Sequence, residues 1–491
     1  MTERRGLTSR LVEWFDSRFG LSHPLFRPVP EYALNPFYWL GALAVVAFVI
    51  QGVTGMILML YYIPSPTQAY SSTSYIFQSV SNGRFLETVH LYTAYAMIML
   101  AFMHLMRGYF VSVHKRPREA MWLVGMLMGF VTLGFGFTGY LLPWTVVSKS
   151  ATDVGVGMVS ALPQPVSSLL TFLIVGGGGD TAELLRFFDL HIVVLPAAIL
   201  VLLAVKMYML ETHGVSEPNS GQPLSSSSKL HPIFPDVTLY LFELSLIFGA
   251  GMLLLSAIFP VTLPPEYTPA AAATYTAQPD WYFLWIYQVL KVSVFEGPTG
   301  LAAALSVVTF VFAVLILLPF LDRGATRNIS RRPLYTTLGL VFIAEVLVLS
   351  YWGYITPGAV IPTEQAALVI GGTALLISLG SLVVYRFLYS RAKSRLLTAP
   401  ASLLPRTEAW TGVAFTILVG AGALAIGSSV NQLVSLALDG YSLLGIAGLA
   451  ASLLGLGLVV LATAFLIYRL DLRTGTIGRR VAFLEAGWKN E

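Results

Sequence analysis

Four side chains that can bind a metal or a proton recur at regular intervals inside apolar stretches of this chain. His90 and His104 are fourteen residues apart in ETVHLYTAYAMIMLAFMHLMRGYF, and His191 and Lys206 are fifteen apart in LHIVVLPAAILVLLAVKMYMLETHG. Fourteen residues of α-helix advance about 21 Å and return to within about 40° of the same face. Imidazoles and amines inside a bilayer need partners, so a functional role is the first interpretation. A hydrogen-bonded core histidine is the alternative for either histidine alone.

Two pairs of glycines repeat this spacing on neighbouring apolar stretches. Gly41 and Gly55 are fourteen residues apart, and so are Gly125 and Gly139. Glycine in a membrane helix usually serves helix packing, but one spacing shared by three successive stretches indicates two flat, bulky groups stacked across the bilayer. A porphyrin requires an axial ligand on each side and a missing side chain where its edge meets a helix. The spacing therefore predicts two haems, one above the other.

The fourth ligand is expected at residue 205 or 206, where the chain has Val205 and Lys206. Pro196 lies between this position and His191, and it can kink the helix or host a bulge, so a spacing of fifteen is tolerated. Lysine binds iron only as the neutral amine, which burial favours. In the alternative interpretation Lys206 extends to the inner membrane surface, and its haem is held by one histidine, held by Met207, or absent.

The elements that carry these residues are membrane-spanning helices. Of the 491 residues, 56% are apolar and 11% are charged, which excludes an ordinary soluble globule. Runs of about 20 apolar residues are long enough to cross a bilayer. The predicted fold is an all-α polytopic transmembrane bundle with a di-haem four-helix core and ten spans. The ten spans are 37–63, 88–111, 120–142, 187–211, 237–260, 300–321, 334–355, 366–389, 409–430 and 441–468.

Charge and cysteine content restrict the topology and the cofactors. With the N-terminus inside, the cytoplasmic segments hold 23 of the 29 lysines and arginines. Basic loops stay on the cytoplasmic side, so we expect a multi-pass protein of a prokaryotic cell membrane with both termini cytoplasmic. The chain contains no cysteine, so it forms no disulfide, ligates no iron–sulfur cluster and attaches no haem covalently. The N-terminus has no signal-peptide pattern, and the net charge of +4 gives no indication of nucleic-acid binding.

Several motifs occur in a recognisable order. They are GYLLPW at 139–144, RFFDLH at 186–191, QPDWYFLW at 278–285 and LPFLDRGATRNISRRP at 318–333. These motifs resemble those of the cytochrome b family of quinol-oxidising, bc-type respiratory and photosynthetic complexes, over about residues 30–390. KRPREAMW at 115–122 and the spacing of fifteen are more similar to the chloroplast-type branch. An archaeal cytochrome b of a quinol oxidase assembly is a further form of the same resemblance.

The resemblance implies two non-covalent haems, of b-type or alternatively of A-type. The outer haem would be held by His90 and His191, and the inner haem by His104 and Lys206. Arg107 occupies a position that meets a haem propionate in the family, although an interfacial basic anchor is the alternative for this residue. The remaining expected cofactor-binding residues are Gly41, Gly55, Gly125, Gly139 and Arg186.

The resemblance also implies an outer quinol-oxidation pocket between the end of the third span, the following loop and the PEWY-type motif. That motif is here Pro279 to Tyr282, with Asp280 in place of the usual glutamate. A carboxylate in a partly buried pocket can accept quinol protons, so Asp280 and Tyr282 are the expected catalytic residues. An interfacial aromatic belt is the alternative for the aromatic run that follows.

In the implied reaction, one electron leaves to a Rieske-type iron–sulfur protein and the other passes through both haems to an inner quinone. This electron transfer moves charge across the membrane and so stores energy. His213 and Asp236 are the expected residues of the inner quinone site. Their alternative role is as solvated loop residues beside the serine-rich linker.

The expected organisation is a haem core at 1–215 with an outer amphipathic segment near 150–180, a polar linker at 216–236, a second cytochrome b region at 237–392 and two additional spans with a tail at 393–491. The expected partners are the Rieske-type protein, cytochrome c or terminal oxidase subunits, membrane quinol and a second copy of the complex. Two competing functions remain. One is an electron relay without its own quinol site. The other is a ten-span secondary transporter that uses Lys206 and the histidines as a substrate or proton path.

Overall fold

The computed structural model describes residues 27–395 apart from 163, 177–178, 217–229, 297–299, 325–326, 328 and 330–331. The predicted ninth and tenth spans, 409–430 and 441–468, lie outside the described residues. Both termini lie outside them as well, so the prediction that the termini are cytoplasmic stays a prediction. The division of the chain into four regions also stays a prediction.

The described part of the chain is almost entirely helical. Its elements in order are β1 (Val29–Pro30), α1 (Leu40–Met59), α2 (Ala69–Gln78), α3 (Gly83–Phe110), α4 (Glu119–Leu141), α5 (Val146–Ser160), α6 (Val166–Ile174), α7 (Gly179–Asp189), α8 (Leu195–His213), β2 (Leu230–His231), α9 (Thr238–Ile258), α10 (Pro269–Thr274), α11 (Leu284–Leu290), α12 (Gly300–Ile316), α13 (Leu318–Leu321), α14 (Pro333–Ile355) and α15 (Thr363–Arg395). A π-helical turn, Leu190–Val194, joins α7 to α8, and β1 pairs antiparallel with β2.

Within these residues, seven helices are long and apolar enough to cross a membrane. They are α1, α3, α4, the continuous α7–α8 helix, α9 with the turn before it, α14 and α15. The predicted sixth span corresponds to α12, which is a shorter apolar helix, followed by α13. The first eight predicted spans are therefore each represented by a helix, which confirms the all-α membrane fold.

Local signals explain where several helices begin and end. Thr145 precedes α5, and its side chain and that of Ser148 each accept a backbone N–H of the other residue, as in a capping box. Pro333 stands in the first turn of α14, where a missing N–H has no cost. Gly214 follows α8 with a φ of +68°, a left-handed conformation that favours glycine at a helix end.

Helix pairing brings the two halves of the chain together. α1 packs mainly along α3, and α4 packs along α8. The buried residues Tyr109, Trp122 and Leu315 connect α3 and α4 to α12. The indole Nε1 of Trp122 donates a hydrogen bond of 2.8 Å to the Leu315 carbonyl. The predicted outer amphipathic segment near 150–180 corresponds to α5 and α6.

A buried ion-pair cluster joins the loop after α3 to the segment between α13 and α14. The carboxylate of Asp322, 3% exposed, lies 2.9 Å from His114 Nε2 and 3.0 Å from Lys115 Nζ, and it also contacts Arg332 Nη2. Burial raises the pKa of this carboxyl, but the hydrogen bonds from His114 and Lys115 and the charge of Arg332 outweigh it, so the net pKa is lowered. The cluster therefore attaches the N-terminal half to the C-terminal half of the described chain.

We expect Asp322→Ala to lower the free energy of unfolding by about 3–5 kcal/mol, because it leaves buried cations without this counter-charge. Thermal unfolding of the detergent-purified protein would measure the loss. Asp180→Ala is the matched control: Asp180 is 54% exposed and lies 3.4 Å from Lys149 Nζ. Because Asp180 is exposed and Lys149 keeps Asp153 and Glu183 as partners, we expect its loss to cost at most about 1 kcal/mol. Equal losses in the two variants would contradict the assignment of a stabilising role to the Asp322 cluster.

Candidate functional site

The outer pair of predicted ligands lies against the outer pair of glycines. A Cβ atom built on Gly55 would stand 3.3 Å from His90 Cε1, and one built on Gly139 would stand 2.6 Å from His191 Cε1. His191 also lies within electrostatic range of His90. Helices α1 and α4 thus present glycine to imidazoles from α3 and from the π-helical turn.

The inner pair repeats the arrangement about four turns away. A Cβ atom on Gly41 would lie 3.1 Å from His104 Cε1, and one on Gly125 would lie 2.7 Å from Lys206 Nζ. Lys206 is within electrostatic range of His104. The Lys206 amine donates a hydrogen bond of 2.8 Å to the Met121 carbonyl. All four predicted ligands therefore pair with the four predicted glycines.

The π-helical turn explains the unequal spacing. Along α1 and α3, fourteen residues between glycines match fourteen residues between histidines. On α4, Gly125 and Gly139 are also fourteen residues apart, but the facing residues His191 and Lys206 are fifteen apart. A π-helical turn accommodates one extra residue in a helix, and Leu190–Val194 forms such a turn immediately before Pro196, which has no N–H to donate. The prediction that a bulge near Pro196 tolerates the longer spacing agrees with this geometry.

The alternatives for the fourth ligand are less well placed. Met207 is 53% exposed, and Val205 is also exposed on the outside of α8. The Lys206 amine is instead held against α4, beside Gly125. The geometry favours Lys206 over Met207 as the residue that faces His104.

The two predicted arginines have different surroundings. The Arg107 guanidinium lies 3.8 Å from the ring centroid of Tyr38. Its Nη2 is buried, with no hydrogen-bond partner among the described residues. Arg186 contacts the ring of Phe172 at 5.3 Å and the Leu173 carbonyl at 3.4 Å. Arg107 therefore keeps a donor available for an anionic group, whereas Arg186 holds α6 to α7, and the structure gives the expected cofactor role of Arg186 no support.

The residues at both levels fit a haem. Each level offers two nitrogen donors, the number of axial positions that the protein fills on a haem iron. Each donor lies over a glycine, where an added Cβ would crowd it. Arg107 Nη2 and His104 Nδ1 are buried atoms that have no hydrogen-bond partner in the described structure. Such atoms need a partner.

Two threonines near the outer ligands were missed by the sequence reasoning. Thr54 Oγ1 lies 2.8 Å from His90 Nδ1, and Thr138 Oγ1 lies 3.1 Å from His191 Nδ1. Each threonine directly precedes an outer glycine, so the repeated Thr-Gly pair at 54–55 and 138–139 is the signal that could have identified them.

The predicted quinol residues form one hydrogen-bonded group. The Tyr95 hydroxyl of α3 donates a hydrogen bond of 2.9 Å to Asp280 Oδ1, and Tyr282 is hydrogen-bonded to the same carboxylate. Tyr282 is 7% exposed. Gly136 of α4 leaves room for it, because a Cβ there would lie 2.8 Å from the Tyr282 hydroxyl. Burial at this depth argues against the interfacial-belt alternative for Tyr282, and Gly136 was another residue that the sequence reasoning missed.

Burial determines the protonation behaviour of this group. It raises the pKa of the Asp280 carboxyl, although hydrogen bonds from Tyr95, Tyr282 and the Trp281 backbone oppose the shift. Burial and the nearby Asp280 charge raise the pKa of Tyr282 well above its ordinary value. Asp280 is thus the member of the pair that exchanges a proton more readily, and Tyr282 remains a hydroxyl donor.

The structure shows no contact between the side chains expected at the inner quinone site. The backbone carbonyl of His213, at the end of α8, accepts a hydrogen bond from Arg118 Nη2 at 3.1 Å. Asp236 Oδ2 lies 3.1 Å from His231 Nδ1 instead. The Nε2 atom of His231 is buried and has no partner within the described residues. His231 therefore joins Asp236 as a candidate, and the expectation for His213 stays a prediction.

A multi-pass helical bundle that holds paired nitrogen donors against glycines at two depths defines a membrane haem protein suited to electron transfer. Two family descriptions match the chain: "Cytochrome b(N-terminal)/b6/petB" at residues 95–265 and "Cytochrome b(C-terminal)/b6/petD" at residues 269–371. The cytochrome bc complex cytochrome b subunit of Chlorobaculum thiosulfatiphilum is 33% identical over 350 residues, which cover 70% of this chain and 80% of the relative. Cytochrome b of Sulfolobus acidocaldarius is 30% identical over 406 residues, which cover 76% and 70%.

The chain belongs to the cytochrome b family, and it is a quinol oxidoreductase subunit that functions in electron transport. The family membership confirms the resemblance drawn from the motifs, and it implies b-type haem as the cofactor. A solved structure titled "Hyperthermophilic respiratory Complex III" shares the fold, with a TM-score of 0.62 and 24% identity over 77% of this chain and all of that chain.

Proposed function

We propose that the chain binds two haems, the outer between His90 and His191 and the inner between His104 and Lys206, and passes electrons from quinol across the membrane. The observation that carries the proposal is the contact of all four ligands with the four glycines at two levels. When bound, each haem accepts and releases one electron at a time. His90, His191, His104 and Lys206 would hold the haems through their nitrogens, and Arg107 would offer a hydrogen-bond donor to an anionic group on one of them.

At the outer face, Asp280 accepts a proton from quinol, and Tyr95 and Tyr282 orient its carboxylate. A general base has to lie within hydrogen-bond reach of the proton that it takes. The Tyr282 hydroxyl, which is hydrogen-bonded to Asp280, lies beside Gly136. At the inner face, Asp236 and His231 offer hydrogen bonds to a quinone. His231 is thereby added to His213 and Asp236, the residues expected from the sequence.

The proposal places the protein in a prokaryotic cell membrane with both termini cytoplasmic. It further assigns a Rieske-type iron–sulfur protein as the outer electron acceptor, with cytochrome c or terminal oxidase subunits in the same complex and two copies of that complex associated as a dimer. The relative from Chlorobaculum thiosulfatiphilum, which is named as a cytochrome bc complex subunit, supports this assignment.

The visible spectrum of the purified protein tests the proposal. We expect reduced haem bands equivalent to two haems per chain. A colourless protein would overturn the proposal and support the transporter alternative. Quinol turnover that does not change when Tyr282 is replaced by alanine would support the alternative of an electron relay without its own quinol site.

Replacement of Lys206 by histidine is expected to change the ligand signature of one haem only. The inner haem would change from histidine–amine to histidine–histidine ligation. Its electron paramagnetic resonance and near-infrared charge-transfer signals would therefore shift, while those of the outer haem stay constant. Magnetic and near-infrared spectroscopy of the oxidised protein would record the shift.

Met207→Leu is the matched control, because Met207 is adjacent in sequence but exposed on the outside of α8. It should leave both signatures unchanged. Identical spectra of Lys206→His and the wild type would count against lysine ligation, and a change in Met207→Leu would favour the methionine alternative.

A further inference from the structure

Thr54 and Thr138 occupy equivalent positions around the two outer ligands. Each stands one residue before a glycine of the outer pair, on α1 and α4 respectively. Each places its hydroxyl within hydrogen-bond distance of the Nδ1 atom of the facing histidine, at 2.8 Å for His90 and 3.1 Å for His191. The two helices thus repeat one local arrangement on opposite sides of the outer site.

The hydroxyl hydrogens of these threonines are already used. Thr54 Oγ1 donates to the Ile50 carbonyl at 2.7 Å, and Thr138 Oγ1 donates to the Gly134 carbonyl at 2.8 Å. A hydroxyl has one hydrogen and two lone pairs, and a carbonyl can only accept. Each threonine therefore accepts a hydrogen bond from Nδ1–H of its histidine. In this tautomer Nε2 of each histidine carries a free lone pair.

The inner ligands have no such support among the described residues. Leu40 and Val124 stand at the corresponding positions, one residue before Gly41 and Gly125. His104 Nδ1 is buried without a hydrogen-bond partner. The outer histidines thus have a hydrogen bond at Nδ1 that His104 lacks among the described residues. Such a hydrogen bond alters how strongly an imidazole donates electrons to a metal.

We propose that Thr54 and Thr138 are positioning residues that fix the Nδ1–H tautomer of His90 and His191 and lower the reduction potential of the outer haem relative to the inner haem. This inference rests on the proposed function, since it requires the two haems. A hydrogen bond accepted from Nδ1–H makes the imidazole a stronger donor through Nε2. A stronger donor stabilises the oxidised, more positively charged iron, so the potential falls. Electron flow from the outer to the inner level is then favourable.

Potentiometric titration of the haem bands in Thr54→Val, Thr138→Val and the double variant tests the inference. Valine keeps the shape of threonine and removes the hydroxyl. We expect the double variant to be about tenfold easier to reduce at the outer haem, which for one electron corresponds to about 59 mV. The inner haem should be unchanged. The outer signal is identified as the one that is missing in His191→Ala.

The two single variants should not be equal. The Phe135 backbone also hydrogen-bonds His191, and its carbonyl remains in Thr138→Val. The larger single shift is therefore expected for Thr54→Val. Thr54→Ser and Thr138→Ser keep the hydroxyl and should retain the wild-type potential.

Thr132→Val is the matched control. Thr132 lies in α4, is buried, and donates a hydrogen bond of 2.9 Å to the Met128 carbonyl. Its replacement therefore removes a buried threonine hydroxyl of the same helix that does not contact a predicted ligand. An outer potential unchanged in the double valine variant, with both haems bound, would overturn this inference alone. The same would follow if Thr132→Val shifted the potential equally. A wild-type protein without haem bands would overturn both proposals.

Discussion

Replacing His191 by alanine is expected to leave a protein that carries one haem instead of two and no longer oxidises quinol at a measurable rate. His191 lies against Gly139, and in the proposed function it is one of the two protein ligands of the outer haem, so its loss would remove one of them. A haem held by one residue would have lost half of the ligands that the protein supplies to its iron. The haem content per chain, measured by absorbance after extraction, should fall by half, and the redox titration should lose one signal.

Val193→Ala is the matched control for His191→Ala, since Val193 belongs to the same π-helical turn but is 58% exposed. This variant should retain both haems and the wild-type turnover. Two haems of unchanged spectrum in His191→Ala would contradict the assignment of His191 as a ligand.

Replacing Asp280 by asparagine is expected to reduce quinol turnover about 100-fold, the effect of removing a positioned general base. Asparagine has nearly the same shape and still offers an oxygen to the Tyr95 hydroxyl, but it cannot take up a proton. Both haems should remain bound with their wild-type potentials. Steady-state reduction of an artificial electron acceptor by quinol would measure the loss, and wild-type turnover in Asp280→Asn would exclude a proton-accepting role.

The pH dependence of turnover provides a second measurement on Asp280. The carboxylate accepts a proton only when it is ionised, so turnover should fall as the pH decreases through its pKa. Because burial raises that pKa, this decrease should occur at a higher pH than for an exposed aspartate. Asp280→Glu keeps a carboxylate and should keep a pH-dependent limb, whereas Asp280→Asn should lose it. Asp180→Asn, an exposed outer carboxylate, should leave the profile unchanged.

The sequence by itself determined the helices and the two levels at which the predicted ligands lie. Apolar runs of bilayer length must form helices, because a backbone in lipid can satisfy its hydrogen bonds only internally. Side chains fourteen residues apart on such a helix share a face at two depths. His90, His104 and the four glycines could therefore be placed without any tertiary information. The motif that contains Asp280 predicted an outer quinol pocket only through its resemblance to the cytochrome b family.

Only the tertiary structure decided which side chains meet across helices. The π-helical turn at Leu190–Val194 brings Lys206 opposite Gly125, and a sequence shows only that a bulge near Pro196 is allowed. Arg186 contacts Phe172, and Asp236 pairs with His231. Such contacts depend on the rotation and depth of one helix against another, which side chains distant in sequence determine together by packing. Local periodicity carries no information about that rotation, so these pairings appear only when the bundle is assembled.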